Sequence, residues 1–151
     1  MPQSIVKILV HIVFSTKNRA DLITPEIEIK LYAYISGIVK NNGGKLITAN
    51  GTTNHSHFLV SLGRNNVGEL IGDMKRDSSV WIKKQSTEFS EFYWQKGYGA
   101  FSIGQSQVSG VSEYIQNQKK HHAEKVISFE DEFRDLCRKY EVPLDERYCW
   151  D

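Results

Sequence analysis

Two apolar segments, Lys45 to Ala49 and His55 to Leu62, flank the polar turn Asn50-Gly51-Thr52-Thr53-Asn54, and this central hairpin limits how the rest of the chain can close around it. Upstream, Ile5 to Phe14 is rich in β-branched and apolar residues and ends in the polar run Ser15-Thr16-Lys17-Asn18-Arg19, the pattern of a central strand. Thr24-Pro25-Glu26 then supplies an N-cap, a proline at the first helical position and an acid in the first turn. Ile27, Leu31, Ile35 and Ile38 repeat at helical spacing, so a helix is expected to about Lys40, where Asn41-Asn42-Gly43-Gly44 stops it. Downstream of the hairpin, Val67, Leu70, Ile71, Met74 and Trp81 mark a second amphipathic helix from Asn66 to about Gln85, with Lys75, Arg76, Lys83 and Lys84 on or beside its exposed side. The second half of the Gly/aromatic stretch Tyr93 to Ile103 supplies a fourth strand. The order β-α-β-β-α-β predicts an α+β, ferredoxin-like (split βαβ) fold: an antiparallel sheet with two helices on one face and the other face free for a ligand or partner. Ser106-Gln107-Val108 opens a third helix with Val108, Val111 and Ile115 on its apolar stripe, and an acidic fourth helix is expected from Ser128 to Tyr140.

At 151 residues the chain is expected to be a single domain, 1–151, with its acidic stretch from about residue 126 included. The apolar start is too short for a membrane helix, is interrupted by Lys7 and His11, and lacks the pattern of a secretory signal, which points to the cytoplasm. Cys137 and Cys149 have no C-x-x-C spacing and read as reduced and incidental. A net charge of +1 conceals a polarity: residues 1–125 carry 15 Lys/Arg against 10 Asp/Glu, and residues 126–151 carry 4 against 8. The basic body is compatible with a polyanionic partner without demanding one.

His55 and His57 are two apart on a strand, so both imidazoles leave the same face of the sheet. Such a pair is more often ordinary packing or surface histidine than a metal clamp, and it lacks a third ligand. Tyr114 and Gln118, four apart, stack on one helix face beside the apolar stripe. If that face looks onto the histidines, two imidazole nitrogens and an amide oxygen would hold a cation, one turn from a tyrosine able to attack phosphorus. Alone, Tyr114 reads as a boundary residue and Gln118 as solvated, and Tyr98, in Gly-Tyr-Gly, is a rival with no ligand four residues later.

The combination resembles the HUH single-tyrosine transposases of the insertion sequence 200/605 type. His55-Ser56-His57 and Tyr114-x-x-x-Gln118 carry the likeness, with His11-Ile12-Val13-Phe14-Ser15-Thr16-Lys17, Met74-Lys75-Arg76-Asp77-Ser78-Ser79 and Trp94-Gln95-Lys96-Gly97-Tyr98-Gly99-Ala100-Phe101-Ser102 in support. The resemblance implies a Mg²⁺ or Mn²⁺ site of His55, His57 and Gln118, with Tyr114 as nucleophile. It further implies single-stranded DNA with hairpins at element ends as substrate, cleaved to a 5′-phosphotyrosine and a free 3′-OH and later rejoined. Homodimers whose active sites are shared between subunits are also implied, and the short polar linker Gly104-Gln105-Ser106-Gln107 would let the tyrosine helix pack on either sheet. Two positions depart from the pattern: Ser56 replaces a bulky hydrophobic residue and Asn54 an often-found Asp. On a strand Ser56 faces away from the histidines, and its small polar side chain argues against a tightly packed apolar face beneath the site. His121 and His122 read as phosphate contacts or helix C-terminal cations ahead of further metal ligands, and Lys17, Arg19, Lys75 and Arg76 as DNA contacts, ahead of Lys83 and Lys84. The competing readings are a non-catalytic ferredoxin-like nucleic-acid-binding protein, a domesticated repeat-associated relative and a metal phosphodiesterase that uses water.

Overall fold

The computed structural model describes residues 3–147 and 149–150. Strands β1 (Leu9–Ser15), β2 (Lys45–Gly51), β3 (His55–Ser61) and β4 (Gly99–Ile103) form one antiparallel sheet in the order β2-β3-β1-β4. This is the ferredoxin-like order. Helices α1 (Pro25–Asn41) and α2 (Val67–Lys83) pack on one face. Each begins where the sequence provides a cap: the Thr24 hydroxyl accepts from the Ile27 amide at 3.4 Å, and the Asn66 side-chain oxygen Oδ1 from the Glu69 amide at 2.9 Å. Val10, Ile12 and Phe14 of β1 and Phe58 and Val60 of β3 meet Leu31, Ile35, Leu70 and Met74 in the main core.

The second face is not free. Helices α3 (Val108–Gln116), α4 (Gln118–Lys125) and α5 (Phe129–Lys139) cover it, with Leu59, Ile103, Val111 and Ile115 in one apolar cluster and Val13, Phe101, Phe129 and Phe133 in another. The sheet alternation explains the need: Leu9, Val13 and Leu59 are apolar on this side too, and leaving them in water would forfeit their burial.

Two boundaries differ from expectation. β1 begins at Leu9 rather than Ile5, because β3 and β4 both end opposite Leu9; Ile5, Val6 and Ile8 lie outside the ladder and are exposed. The tyrosine helix also stops earlier, at Gln116. Asn117, at φ −94° and ψ 14°, separates it from α4, so Gln118 opens a new helix instead of continuing the old one.

Ser56 finds its reason on the α1 side of the sheet. It is fully buried, its hydroxyl 2.8 Å from that of Tyr32 on α1, whose ring packs edge-on against Phe58. The face beneath the histidines is therefore well packed, contrary to the reading of Ser56 as a sign of looseness; a bulky side chain would displace the Tyr32 hydroxyl.

Candidate active site

β3 delivers His55 and His57 to the covered face, and both are buried to within 1 % of full enclosure. Gln118 is likewise fully buried, its amide oxygen 3.1 Å from His55 Nε2. Bonds to the hairpin and to α1 hold α4 in place: Lys119 Nζ donates to Asn50 Oδ1 at 2.6 Å and to the Gly51 carbonyl at 3.1 Å in the hairpin, and to Glu28 of α1 at 2.7 Å. The Asn50 amide in turn donates to the Gln116 carbonyl at 2.9 Å. His55, His57, Tyr114 and Gln118 thus meet within one chain.

The centre of the cluster is a residue the sequence analysis passed over. Glu132 of α5 is buried beside the histidines, with His57 Nε2 and His122 Nε2 each 3.0 Å and His55 Nε2 3.2 Å from its Oε1. Its Oε2 accepts hydrogen bonds from the Tyr114 hydroxyl and, at 2.8 Å, from the Gln118 amide. A signal for Glu132 was present: it stands three residues after Phe129 and four before Leu136, so it is an acid on the apolar stripe of its helix. His122 and His11 were also underread. His122 enters the cluster from α4, while His11, a histidine inside an apolar central strand, places Nε2 2.8 Å from His57 Nδ1. His121 stays outside the polar cluster with its ring 5.7 Å from that of Tyr114.

The Nδ1 atoms on the far sides of these rings are also engaged. His55 Nδ1 lies 2.8 Å from Asn54 Oδ1 and 2.9 Å from the Thr52 hydroxyl, and His122 Nδ1 is 2.6 Å from the Ile127 carbonyl. Asn54 thereby does what an Asp there would do, accepting from the imidazole and turning Nε2 toward the site. Burial lowers the pKa of His55, and burial together with neighbouring His57 lowers that of His11 to about 3, so both are neutral. Burial also opposes charge on Glu132 and His122, but their mutual hydrogen bond outweighs it, aided at Glu132 by the neighbouring imidazoles: Glu132 is held well below the usual carboxylate range and His122 is raised. The Tyr114 phenol is pushed up, first by burial and then by the Glu132 charge. Tyr114 also lines a cavity of about 100 Å³ with His11, Gly110, Val111, Lys139 and Tyr140.

Lys17, Arg19, Lys75 and Arg76 lie apart from this cluster. Lys17 is exposed on a 3₁₀ turn that follows β1. Arg19 donates to the Trp150 carbonyl at 2.5 Å, with Glu130 3.9 Å away. Lys75 does not belong to a solvated basic face: its ammonium donates to the carbonyls of Gln95, Lys96 and Gly97 at 2.7–3.2 Å, and burial pushes its pKa down to about 8. Arg76 pairs with Asp73 at 2.8 Å and Asp77 at 3.0 Å. Cys137 and Cys149 are both free thiols. No helix among the described residues is long and apolar enough to cross a membrane.

Comparison with known proteins bears on the fold and the family. A Deinococcus radiodurans R1 candidate transposase shares the fold at a TM-score of 0.58 and 17 % identity, over 78 % of this chain and 98 % of its own. A REP-associated tyrosine transposase bound to a REP hairpin gives a TM-score of 0.61 and 13 % identity, over 81 % of this chain and 73 % of its own. No curated protein is significantly similar in sequence. Residues 4–118, which run from before β1 through Gln118 and so take in both histidines and Tyr114, match the family described as "Transposase IS200 like", and the chain belongs to that family.

Proposed function

We propose that this transposase cleaves and rejoins single-stranded DNA at hairpin-marked ends, with Tyr114 as nucleophile and a Mg²⁺ or Mn²⁺ ion held by His55, His57 and Gln118. The observation that carries the reading is the meeting of Tyr114 and Gln118 with His55 and His57 around one buried anion, Glu132. The donor set fits a cation. With Asn54 accepting from His55 Nδ1, the lone pair of His55 Nε2 faces two further acceptors, the Gln118 and Glu132 oxygens, at 3.1 and 3.2 Å. Three acceptors turned on one another repel unless positive charge lies among them. A divalent ion bound there would polarise a phosphate and favour the phenolate form of Tyr114 against its burial.

In the proposed step the Tyr114 phenol gives up its proton as its oxygen attacks phosphorus, the bond from phosphorus to the 3′-oxygen breaks, and the 3′-oxygen takes up a proton in turn and leaves as a free 3′-OH, so no net proton is gained or lost. The 5′-phosphate stays on the tyrosine until a 3′-OH displaces it, so strand joining needs no outside energy source. Glu132, by accepting from the phenol, aims the hydroxyl at the histidines. Lys17 and Arg19 lie just past the end of the central strand β1, beside the start of β3, and would bind backbone phosphates, Lys75 and Arg76 contributing only on release from their present partners. The test is incubation with labelled hairpin-containing single-stranded DNA and Mg²⁺ or Mn²⁺, followed by a denaturing gel. A covalent adduct that disappears in Tyr114→Phe supports the reading; cleavage without an adduct would make the protein a phosphodiesterase, and binding without cleavage a nucleic-acid-binding module.

The proposal extends to a homodimer that shares active sites, with α3 carried across by the Gly104–Gln107 linker. In a single chain α3 and α4 already close on their own histidines, so the two arrangements are separable. Mixing inactive Tyr114→Phe with inactive His57→Ala protein restores adduct formation if subunits share sites, and leaves the mixture inactive if each chain works alone.

A further inference from the structure

Three imidazole nitrogens aim at one oxygen, and hydrogen bonding alone does not account for it. His55, His57 and His122 each place Nε2 within 3.0–3.2 Å of Glu132 Oε1. A carboxylate oxygen offers two lone pairs, so three N–H donors oversubscribe it. The tautomer of His122 is set from outside. Its Nδ1 is 2.6 Å from the Ile127 carbonyl, which only accepts, so Nδ1 carries a hydrogen and Nε2 is the nitrogen turned toward the carboxylate. His55, His122 and Glu132 each offer a donor atom, and these atoms lie within 4.8 Å of one another.

We infer that His122 and Glu132 are metal ligands, so the centre holds three imidazoles and a carboxylate in addition to Gln118 and takes Mn²⁺ in preference to Mg²⁺. This rests on the reading that His55 and His57 hold the cation. The selectivity follows from ligand chemistry: Mg²⁺ favours an oxygen shell that keeps several waters, whereas imidazole nitrogens suit first-row transition metals. His122 is reached because Val126, in a left-handed turn at φ 48°, ends α4 and returns the chain into α5, which brings Glu132 back against it. Neither residue lies within the family match, which ends at Gln118.

Isothermal titration of the metal-free full-length protein with MnCl₂ and with MgCl₂ tests this without DNA or turnover. The wild type should bind Mn²⁺ more tightly than Mg²⁺, and His122→Ala and Glu132→Gln should each weaken Mn²⁺ binding by about 10-fold or more. His121→Ala, one position away, should leave it unchanged. His122→Asn, which keeps a donor for the Ile127 carbonyl, should lose affinity as His122→Ala does, and metal-free melting curves identify any variant that fails to fold. Wild-type Mn²⁺ affinity in folded His122→Ala or Glu132→Gln, with affinity lost in His55→Ala, would overturn the inference alone. Unchanged affinity in His55→Ala would overturn the metal reading beneath it as well. Equal affinity for Mg²⁺ and Mn²⁺ would remove the selectivity.

Discussion

Ser56, Phe58 and Val60 point from β3 into the layer made by α1 and α2, whereas His55, His57 and Leu59 point into the layer made by α3, α4 and α5, and all six are buried. The first layer is covered by two 17-residue helices and filled with aliphatic and aromatic side chains, with Tyr32 and Ser56 satisfying each other within it. The second is covered by helices of 9, 8 and 11 residues and devotes much of its enclosed volume to imidazoles, an amide and a carboxylate. Equal burial therefore serves opposite ends. On the α1 and α2 side it removes apolar surface from water; on the other it strengthens electrostatics among polar groups whose desolvation must be offset by mutual contacts.

The comparison breaks most readily at Tyr114. Tyr114→Phe should abolish the covalent DNA adduct while moving the melting temperature little; a persisting adduct would mean that the polar layer is not where the chemistry occurs. Phe58→Ala should have the opposite signature, a loss of about 3–5 kcal/mol in denaturant unfolding from a fully buried aromatic. Any adduct formed by its folded fraction should still depend on Tyr114.

A finer test lies in the one polar pair on the apolar side. Ser56→Ala leaves the Tyr32 hydroxyl buried without its partner, which should cost about 1–3 kcal/mol. Adding Tyr32→Phe should recover most of that loss, because removing both polar groups is nearly neutral. Additive losses in the double variant would show that the two hydroxyls act independently and that Ser56 has some other reason to be small.

The smallest effect concerns Lys75. Burial places its pKa at about 8 in the folded protein, against 10.5 for the ordinary side chain, so the unfolded chain binds more protons between those values. The contribution of Lys75 to stability should therefore rise as pH climbs from about 8 to 10.5. Denaturant unfolding of wild type and Lys75→Met across that window should show the difference, and parallel pH profiles would indicate that Lys75 is solvated after all.

Local pattern carried much of this reading. Thr24-Pro25-Glu26 marked a helix start through capping chemistry that acts within four residues, and the two-residue alternation of β3 separated Ser56 from the histidines. The break at Asn117 was not legible, because Tyr114 and Gln118 keep helical spacing and the interruption accompanies the anchoring of α4 to the hairpin through Lys119. Lys75 was misplaced for a similar reason: its position on α2 said nothing of the Gln95–Gly97 carbonyls that arrive from twenty residues away.

By itself the sequence determined the β-α-β-β-α-β order, the face from which His55 and His57 emerge, and the helical spacing of Tyr114 and Gln118. These follow from periodicities of 2 and 3.6 residues and from short-range capping, which need no knowledge of distant partners. Only the tertiary structure decided that the histidine face is closed, that His11 and His122 join the pair, and that Glu132 from the acidic end of the chain occupies the centre of the site. Those contacts join residues 10 to 77 positions apart, and what places them together is the packing of α5 through Phe129 and Phe133 against Val13 and Phe101, a long-range outcome of apolar burial that no local pattern encodes.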